Sequence, residues 1–317
     1  MTLVLLTTRP SASLDWITIA LLGSAVSGIV NIFDKTVIYK YANTPRTLPL
    51  MIGIAQTTVG VVILGAVQVP ATATITLIFW ALFSGFLWGV SAQFLMYVLY
   101  TEEVSRTVPV FQSFPIFTAI FAFFFLGENL GIYEWLAILA VVMGATIISV
   151  KVDFKNRKAF LNKSLAILMI GSAIQGSAHI FGKIAVDELP VLFTHALRSL
   201  GLGSVFLFFN LRRDPWNDLR GLVARRSPAL LVSGTNEFII ATVSLLLSLW
   251  ALSLGPAALV TALTSTRSFF LVIYSLIIGL IWKGALGEIT TASSIATKLF
   301  ATSIIVVGIA IITLGNT

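Results

Sequence analysis

The segment Gly23–Lys35 reads GSAVSGIVNIFDK, and the segment Gly171–Lys183 reads GSAIQGSAHIFGK. Seven of the thirteen positions are identical, including two glycines, a phenylalanine and the closing lysine, at a separation of 148 residues. A match of this kind between two apolar, glycine-rich segments indicates an internal duplication. The sequence therefore predicts a fold built from two related halves.

The composition indicates that both halves lie in a membrane. Of 317 residues, 57% are hydrophobic and 10% are charged, and the mean hydropathy is +0.99. Soluble domains carry about 25% charged residues, so this chain has too few to cover a water-facing surface. Cysteine is absent and only two histidines are present, so we expect no metal site and no cofactor. The net charge of +7 does not indicate nucleic-acid binding in so apolar a chain.

Ten apolar runs are long enough to cross a bilayer, which takes about 20 residues in a helix. Long unbroken runs favour helices over the alternating strands of a membrane β-barrel. We therefore predict an all-α integral membrane protein with ten transmembrane helices, multi-pass in the cell membrane. The cores of the predicted helices are 16–38, 48–68, 74–98, 107–126, 131–150, 164–186, 190–209, 229–252, 256–281 and 294–314.

Two further matches extend the duplication. The segment LYTEEVSRTVPVFQSFP from Leu99 aligns with LSLGPAALVTALTSTRS from Leu252, and AVVMGATII at 140–148 resembles SIIVVGIAII at 303–312. The last match is weak enough that shared apolar composition explains it equally well. Together the matches predict two five-helix halves, 1–150 and 151–317. Because five is odd, the second half enters the membrane inverted, as in many secondary transporters, whose substrates bind near the midplane between the halves.

The positive charges predict an orientation. Fifteen lysines and arginines fall in odd-numbered connections, and two, Arg9 and Lys183, fall in even-numbered connections or the tails. The positive-inside rule then places the odd connections in the cytoplasm and both termini outside. The fifteen are Lys35, Lys40, Arg46, Arg106, Lys151, Lys155, Arg157, Lys158, Lys163, Arg212, Arg213, Arg220, Arg225, Arg226 and Lys283.

The fourth predicted helix carries a family resemblance. The segment SFPIFTAIFAFFFLGENL at 113–130, preceded by LYT at 99–101, has a mid-helix proline at Pro115 and ends in Leu-Gly-Glu at 126–128. With the ten-helix pattern, it resembles the EamA-like members of the drug/metabolite transporter superfamily. The resemblance implies two five-helix halves, export of amino acids or related metabolites, and cytoplasmic termini, the reverse of the charge count.

The chain departs from the family pattern in two places. Ser268 stands where the second half would often have proline, and no Gly-Glu pair closes the ninth helix. Small multidrug relatives carry a coupling glutamate inside the first helix, whereas this chain has only Asp15 and Asp34 near the ends of that helix. The resemblance therefore does not imply their coupling mechanism here.

Three ionisable residues lie deep in predicted helices: Arg198, Glu237 and Arg267. A charge at the membrane centre costs about 2.5–3.5 kcal/mol on insertion scales, so each needs a reason. We expect Glu237 to pair with one arginine, which leaves the other to bind a carboxylate or phosphate of the substrate. Arg267, on a polar face with Thr264, is the best single candidate. The alternative is a purely architectural bridge between helices.

The repeated segment supplies further candidates. Asn31 in the first half and Gln175 and His179 in the second lie on polar helix faces that would meet across a central cavity, and Trp88 is a candidate for its lining. His179 could also carry a proton, since histidine titrates near neutral pH. The alternative is that these polar groups serve helix packing.

These features predict a secondary transporter, not an enzyme. Its substrate would be a small polar organic metabolite, such as an amino acid or another solute with a carboxylate or phosphate. A sugar-phosphate or nucleotide-sugar exchanger remains an alternative, as does a lipid scramblase or a non-transporting scaffold. No motif of a catalytic nucleophile, metalloprotease or ATP-binding loop occurs. Proton coupling and a homodimer also stay open.

Overall fold

The computed structural model describes residues 15–41, 44, 46–99, 110–149, 163–281 and 292–315, and within them every regular element is a helix. Six helical spans are long and apolar enough to cross a membrane, and four shorter apolar helices accompany them. The fold class is therefore all-α and membrane-embedded. The first half contains α1 (Trp16–Lys40), α2 (Thr47–Ala66), α3 (Ile75–Leu99), α4 (Phe114–Leu126) and α5 (Ile132–Ser149).

The second half begins with α6 (Lys163–Glu188) and α7 (Val191–Asn210). A short amphipathic helix, α8 (Arg213–Ala224), then leads to α9 (Pro228–Thr235), which continues through a π-helical turn (Asn236–Ile240) into α10 (Ala241–Leu254). The remaining helices are α11 (Ala257–Thr264), α12 (Arg267–Ile281) and α13 (Ala292–Gly315). The predicted core at 107–126 is described from residue 110 onward, and the long basic connection at 151–162 lies outside the described residues.

The helices of the two halves pack mainly against each other. Helix α3 packs against α6 and α7, and α1 packs against α10, α11 and α12. Helix α2 packs on α7, α5 on α13, and α4 on both α6 and α11. Large apolar side chains such as Phe124 and Phe208 point outward, as expected for helices surrounded by lipid. The interface between the halves therefore forms the centre of the molecule.

The repeated glycines allow this close packing, as the sequence predicts. Gly23 faces α10 and Gly28 faces α12, whereas their counterparts Gly171 and Gly176 face α3 and α4. A matched pair of hydrogen bonds accompanies them. The hydroxyl of Ser91 donates to the carbonyl of Gly171 at 2.7 Å, and the hydroxyl of Ser244 donates to the carbonyl of Gly23 at 3.1 Å.

Carboxylate side chains form hydrogen bonds at the N-termini of two helices. Glu128, the last residue of the Leu-Gly-Glu segment, accepts hydrogen bonds from the backbone N–H groups of Ala257 (2.6 Å) and Ala258 (3.2 Å) at the start of α11. Asp218 of α8 accepts from the hydroxyl of Thr47 (2.6 Å) at the start of α2. A negative charge at a helix N-terminus complements the helix dipole. Both contacts join one half of the chain to the other.

The close packing of α3 on α7 predicts that an added methyl group lowers stability at one glycine and not at another. A Cβ at Gly201 would collide with the carbonyl oxygen of Leu82, whereas a Cβ at Gly65 would meet no heavy atom within 4 Å. We expect Gly201→Ala to lower the free energy of unfolding by about 1–3 kcal/mol through overpacking. Gly65→Ala should leave it unchanged or raise it. Thermal unfolding of the detergent-purified variants measures both, and equal effects would contradict the packing described.

Candidate functional site

Two interrupted helices meet at the centre of the bundle. Helix α11 ends at Thr264, Ser265 and Thr266 form a turn, and α12 begins at Arg267. In the first half, a turn at 112–113 likewise precedes α4. The alignment of Leu99 with Leu252 places the two interruptions at equivalent positions. Interrupted helices expose backbone polar groups inside a membrane protein, and transporters use them to bind substrates and ions.

Gln112 links the two interruptions. Its side-chain oxygen accepts a hydrogen bond from Nη2 of Arg267 at 3.2 Å, and its side-chain nitrogen donates to the hydroxyl of Ser268 at 2.9 Å. The Thr264 hydroxyl instead donates to the carbonyl of Thr261 within its own helix. Arg267 is thus held at the centre by a neutral amide, and no ion pair forms on it within the described part of the chain. The sequence could not rank Gln112 because nothing in it marks this contact.

Arg198, Trp88, His179 and Gln175 lie together beside this link, although the sequence singled each of them out separately. The guanidinium of Arg198 lies over the Trp88 ring, 5.0 Å from its centroid. The Trp88 ring is 5.2 Å from the ring of His179, and Nε2 of His179 is 3.5 Å from the side-chain nitrogen of Gln175. His179 also stacks on Phe114, the first residue of α4, at 5.5 Å.

The Arg198 side chain is buried and has no anionic partner among the residues that the structure describes. It is 7% exposed, and its Nε and Nη2 atoms make no hydrogen bond. It faces a narrow cavity whose wall includes Gln56, and the side-chain oxygen of Gln56 is also buried without a donor. The rest of the wall is formed by Gly85, Trp88, His195, Ser199, Leu202 and Leu245.

A guanidinium in this state can bind an anion strongly. Free donors in a dry site attract a carboxylate more than the same donors do in water. The planar fork of arginine also matches the two oxygens of a carboxylate or phosphate. The unpaired acceptor of Gln56 could take a hydrogen bond from a hydroxyl or ammonium group of the same ligand. The site is therefore suited to a small anion that also carries a hydrogen-bond donor.

The expected pairing of Glu237 with an arginine is wrong. Glu237 lies in the π-helical turn, where its carboxyl accepts a hydrogen bond from the side chain of Asn236 at 3.1 Å. The same Asn236 nitrogen donates to Asp34 at 2.7 Å. The π-helical turn packs against α1 and α2, which turns Glu237 towards Asp34 and away from Arg198 on α7. A π-helix has no signature that the sequence could have revealed.

The cavity beside Arg198 is not lined by Asn31, the remaining candidate, or by Lys183. Asn31 is half-buried on α1, and its side chain makes no hydrogen bond within the described residues. Lys183, which closes the second copy of the repeated segment, forms an ion pair with Asp187 at 2.8 Å one turn further along α6. The side chain of Lys35, its counterpart, lies outside the described residues.

Comparison with known protein families finds one match, in the first half of the chain. Residues 14–150 match the family described as the EamA-like transporter family. The match covers less than half of the chain and confirms the resemblance drawn from the sequence: the first half is similar to the EamA-like transporters of the drug/metabolite type. The EamA match does not extend over residues 151–317.

The fold also resembles solved structures. One crystal structure, described only as that of a protein, aligns over 94% of this chain and 95% of its own length, with a TM-score of 0.63 and 15% identity. At this identity the likeness supports the fold alone. No protein with a curated function matches the chain at a significant level.

Removal of the Gln112 hydrogen bonds should lower the free energy of unfolding. Gln112→Leu would leave the partly buried Arg267 guanidinium without the acceptor that it has now. Losing a hydrogen bond to a charged group costs about 1.5–3 kcal/mol, and we expect the free energy of unfolding to fall by that amount. The exposed Gln68, after α2, provides the control Gln68→Leu. If both variants unfold like the parent protein, the link contributes nothing to stability.

Proposed function

We propose that the chain is a secondary transporter that moves a small polar organic anion across the cell membrane by alternating access. Ten crossing helices form two inverted five-helix halves, and the substrate binds between them beside Arg198. The carboxylate or phosphate of the substrate is the counter-ion of this arginine. The single observation that carries the proposal is a buried guanidinium with free donors facing a cavity at the interface of the halves.

The pattern of helix contacts supports inverted halves. The first five proposed crossings are α1 to α5, and the second five are α6, α7, α9 with α10, α11 with α12, and α13. If the two sets are exchanged in this order, the α3–α6 contact becomes the α1–α10 contact, and the α4–α6 contact becomes the α1–α12 contact. The α2–α7, α5–α13 and α4–α11 contacts each map onto themselves. The Ser91 and Ser244 hydrogen bonds to Gly171 and Gly23 are exchanged in the same way. Such a set of contacts is expected of two copies related by a twofold axis.

The charges favour a carboxylate over a sugar phosphate. A phosphate carries more negative charge and would be bound best by several cations. Lys183 is paired with Asp187, and Arg267 already donates to the neutral amide of Gln112, so Arg198 is the cation of the described central residues that has buried donors without a partner. One guanidinium suffices for one carboxylate. Amino acids and hydroxy acids therefore lead, and export is the direction that the family resemblance supports.

A scaffold or a scramblase is less favoured. A scaffold has no use for a desolvated charge, which reduces stability unless it is paired. A lipid path would need a polar groove open to the bilayer, whereas the free donors of Arg198 are buried inside the bundle. Transport of a small anion gives the unpaired charge a function.

Arg198→Gln should weaken anion binding. In a thermal-shift screen of the detergent-purified protein against amino acids, hydroxy acids, sugar phosphates and cationic drugs, a ligand at 100-fold its Kd adds about 2.7 kcal/mol of stability. We expect a carboxylate to produce this shift in the parent protein. Loss of a bidentate hydrogen bond to a charged group, about 1.5–3 kcal/mol, should weaken binding about 10- to 100-fold in Arg198→Gln.

Arg225→Gln is the matched control, because Arg225 is exposed at the end of α8. Its ligand shift should equal that of the parent protein. A carboxylate shift that survives in Arg198→Gln, or a response to cationic drugs alone, would overturn the proposed polarity of the site.

The arrangement of the halves is tested by single cysteines in this naturally cysteine-free chain. Ala71, between α2 and α3, and Arg225, after α8, are both exposed and are separated by five proposed crossings. A membrane-impermeant maleimide added to intact cells should label Ala71→Cys at once and Arg225→Cys only after permeabilisation. The reverse pattern would place the termini inside. Labelling of both from one side would refute the five crossings.

A further inference from the structure

A second buried polar group lies where α1 meets the π-helical turn. The side-chain nitrogen of Asn236 donates to Asp34 at 2.7 Å and to Glu237 at 3.1 Å. The two carboxyl groups are therefore neighbours, because both accept from the same side-chain nitrogen. Asn236 is 1% exposed and Glu237 is 3% exposed, whereas Asp34 is partly exposed. Acids from two halves of the chain thus share one site.

The surroundings provide no counter-ion for this site in the described part of the chain. Neither carboxyl forms an ion pair there. Helices α2, α9, α10 and α11, which also pack in this region, contain no titratable side chain. Helix α12 contributes Arg267, which bonds to Gln112, and Tyr274, whose hydroxyl donates to the carbonyl of Ala25. On α1 itself, Lys35, Tyr39 and Lys40 follow Asp34, and their side chains lie outside the described residues.

A proton satisfies the charge balance. Two carboxylates in contact inside a protein repel each other, so such a pair holds a proton between its oxygens. The site also has an unused acceptor, because the side-chain oxygen of Asn236 is buried without any donor. An acceptor of this kind beside two carboxyls is suited to a further O–H donor. The π-helical turn that brings these groups together is an irregularity often found at functional sites.

We propose that Asp34 and Glu237 form a proton-binding site that couples transport to the movement of protons. The inference rests on the proposed transport function. With one proton bound, the pair holds α1 against the π-helical turn. When the O–H bond breaks, the proton passes to water through the partly exposed Asp34, and no electrons are exchanged. Two negative charges remain, and their repulsion separates α1 from the π-helical turn at this end of the bundle.

The duplication relates the two acidic positions to positions beside the anion site. Asp34 corresponds to Gly182 in the repeated segment. The offset between Leu99 and Leu252, carried back along the chain, pairs Glu237 with Ser84, as it pairs Ser244 with Ser91. A Cβ at Gly182 would lie 3.0 Å from the Ser84 hydroxyl oxygen and 3.2 Å from the guanidinium carbon of Arg198. The positions equivalent to the acid pair thus lie beside the guanidinium of Arg198.

Infrared spectroscopy of the purified protein tests the proton directly, without any substrate. The parent protein at neutral pH should show the C=O stretching band of a buried protonated carboxyl group. Asp34→Asn and Glu237→Gln should each abolish the band, because a single remaining carboxyl no longer shares a proton with a like charge. Glu128→Gln is the matched control, since the Glu128 carboxylate accepts two backbone N–H groups and should contribute no such band.

Absence of the band from the parent protein, or its persistence in both single variants, would contradict the proposal that Asp34 and Glu237 share a proton. The coupling role has a separate readout. In proteoliposomes, Glu237→Gln should still exchange labelled substrate for unlabelled substrate but should not respond to an imposed pH gradient. A gradient response equal to that of the parent protein would reject coupling through this site. If no substrate is exchanged by the parent protein while the band behaves as described, the proposed transport fails and the proton site stands.

Discussion

The guanidinium of Arg198 is held inside the helix bundle without a carboxylate, and the arrangement around it depends on small residues. Gly85 has no Cβ, which lets α3 lie against the backbone of Arg198, and Gly182 leaves room beside the guanidinium itself. Trp88 covers one face of the charge. A cation–π contact contributes about 2 kcal/mol when it is desolvated, which offsets much of the cost of an arginine in the membrane.

The duplication explains how one chain can hold two different polar sites. Both copies keep the same packing contacts, since glycines and serines at equivalent positions bring the helices equally close. The side chains that surround this common framework then differ. Where the second copy of the repeated segment has Gly182 beside Arg198, the first has Asp34 as a neighbour of Glu237.

Much of the fold could be predicted from the sequence because hydropathy and repetition are local signals. The seven identities between Gly23–Lys35 and Gly171–Lys183 predicted the equivalent helices, and the Leu-Gly-Glu segment predicted the family. Arg198, Trp88, His179 and Gln175 were each recognised as unusual in an apolar helix. That they touch one another could not be predicted, because contact between distant helices depends on their crossing angles and not on spacing along the chain.

The acidic residues show which contacts could not be predicted from the sequence. Glu237 was expected to pair with an arginine, since opposite charges at one depth suggest a bridge. The π-helical turn rotates it towards α1, and backbone irregularity of this kind leaves no trace in composition. Asp34 was assigned to a helix end on its position alone. Gln112 could not be distinguished from other glutamines, because its importance comes from a turn that interrupts the helix.

The central claim is that the Arg198 cavity carries a small anion between the two sides of the membrane. Counterflow in proteoliposomes tests it most directly, with unlabelled solute inside and the radiolabelled form of alanine, lactate or glucose 6-phosphate outside. The account predicts that a labelled carboxylate accumulates transiently with the parent protein and does not accumulate with Arg198→Gln. Accumulation that is equal in both proteins, or no accumulation of any of these anions, would contradict it.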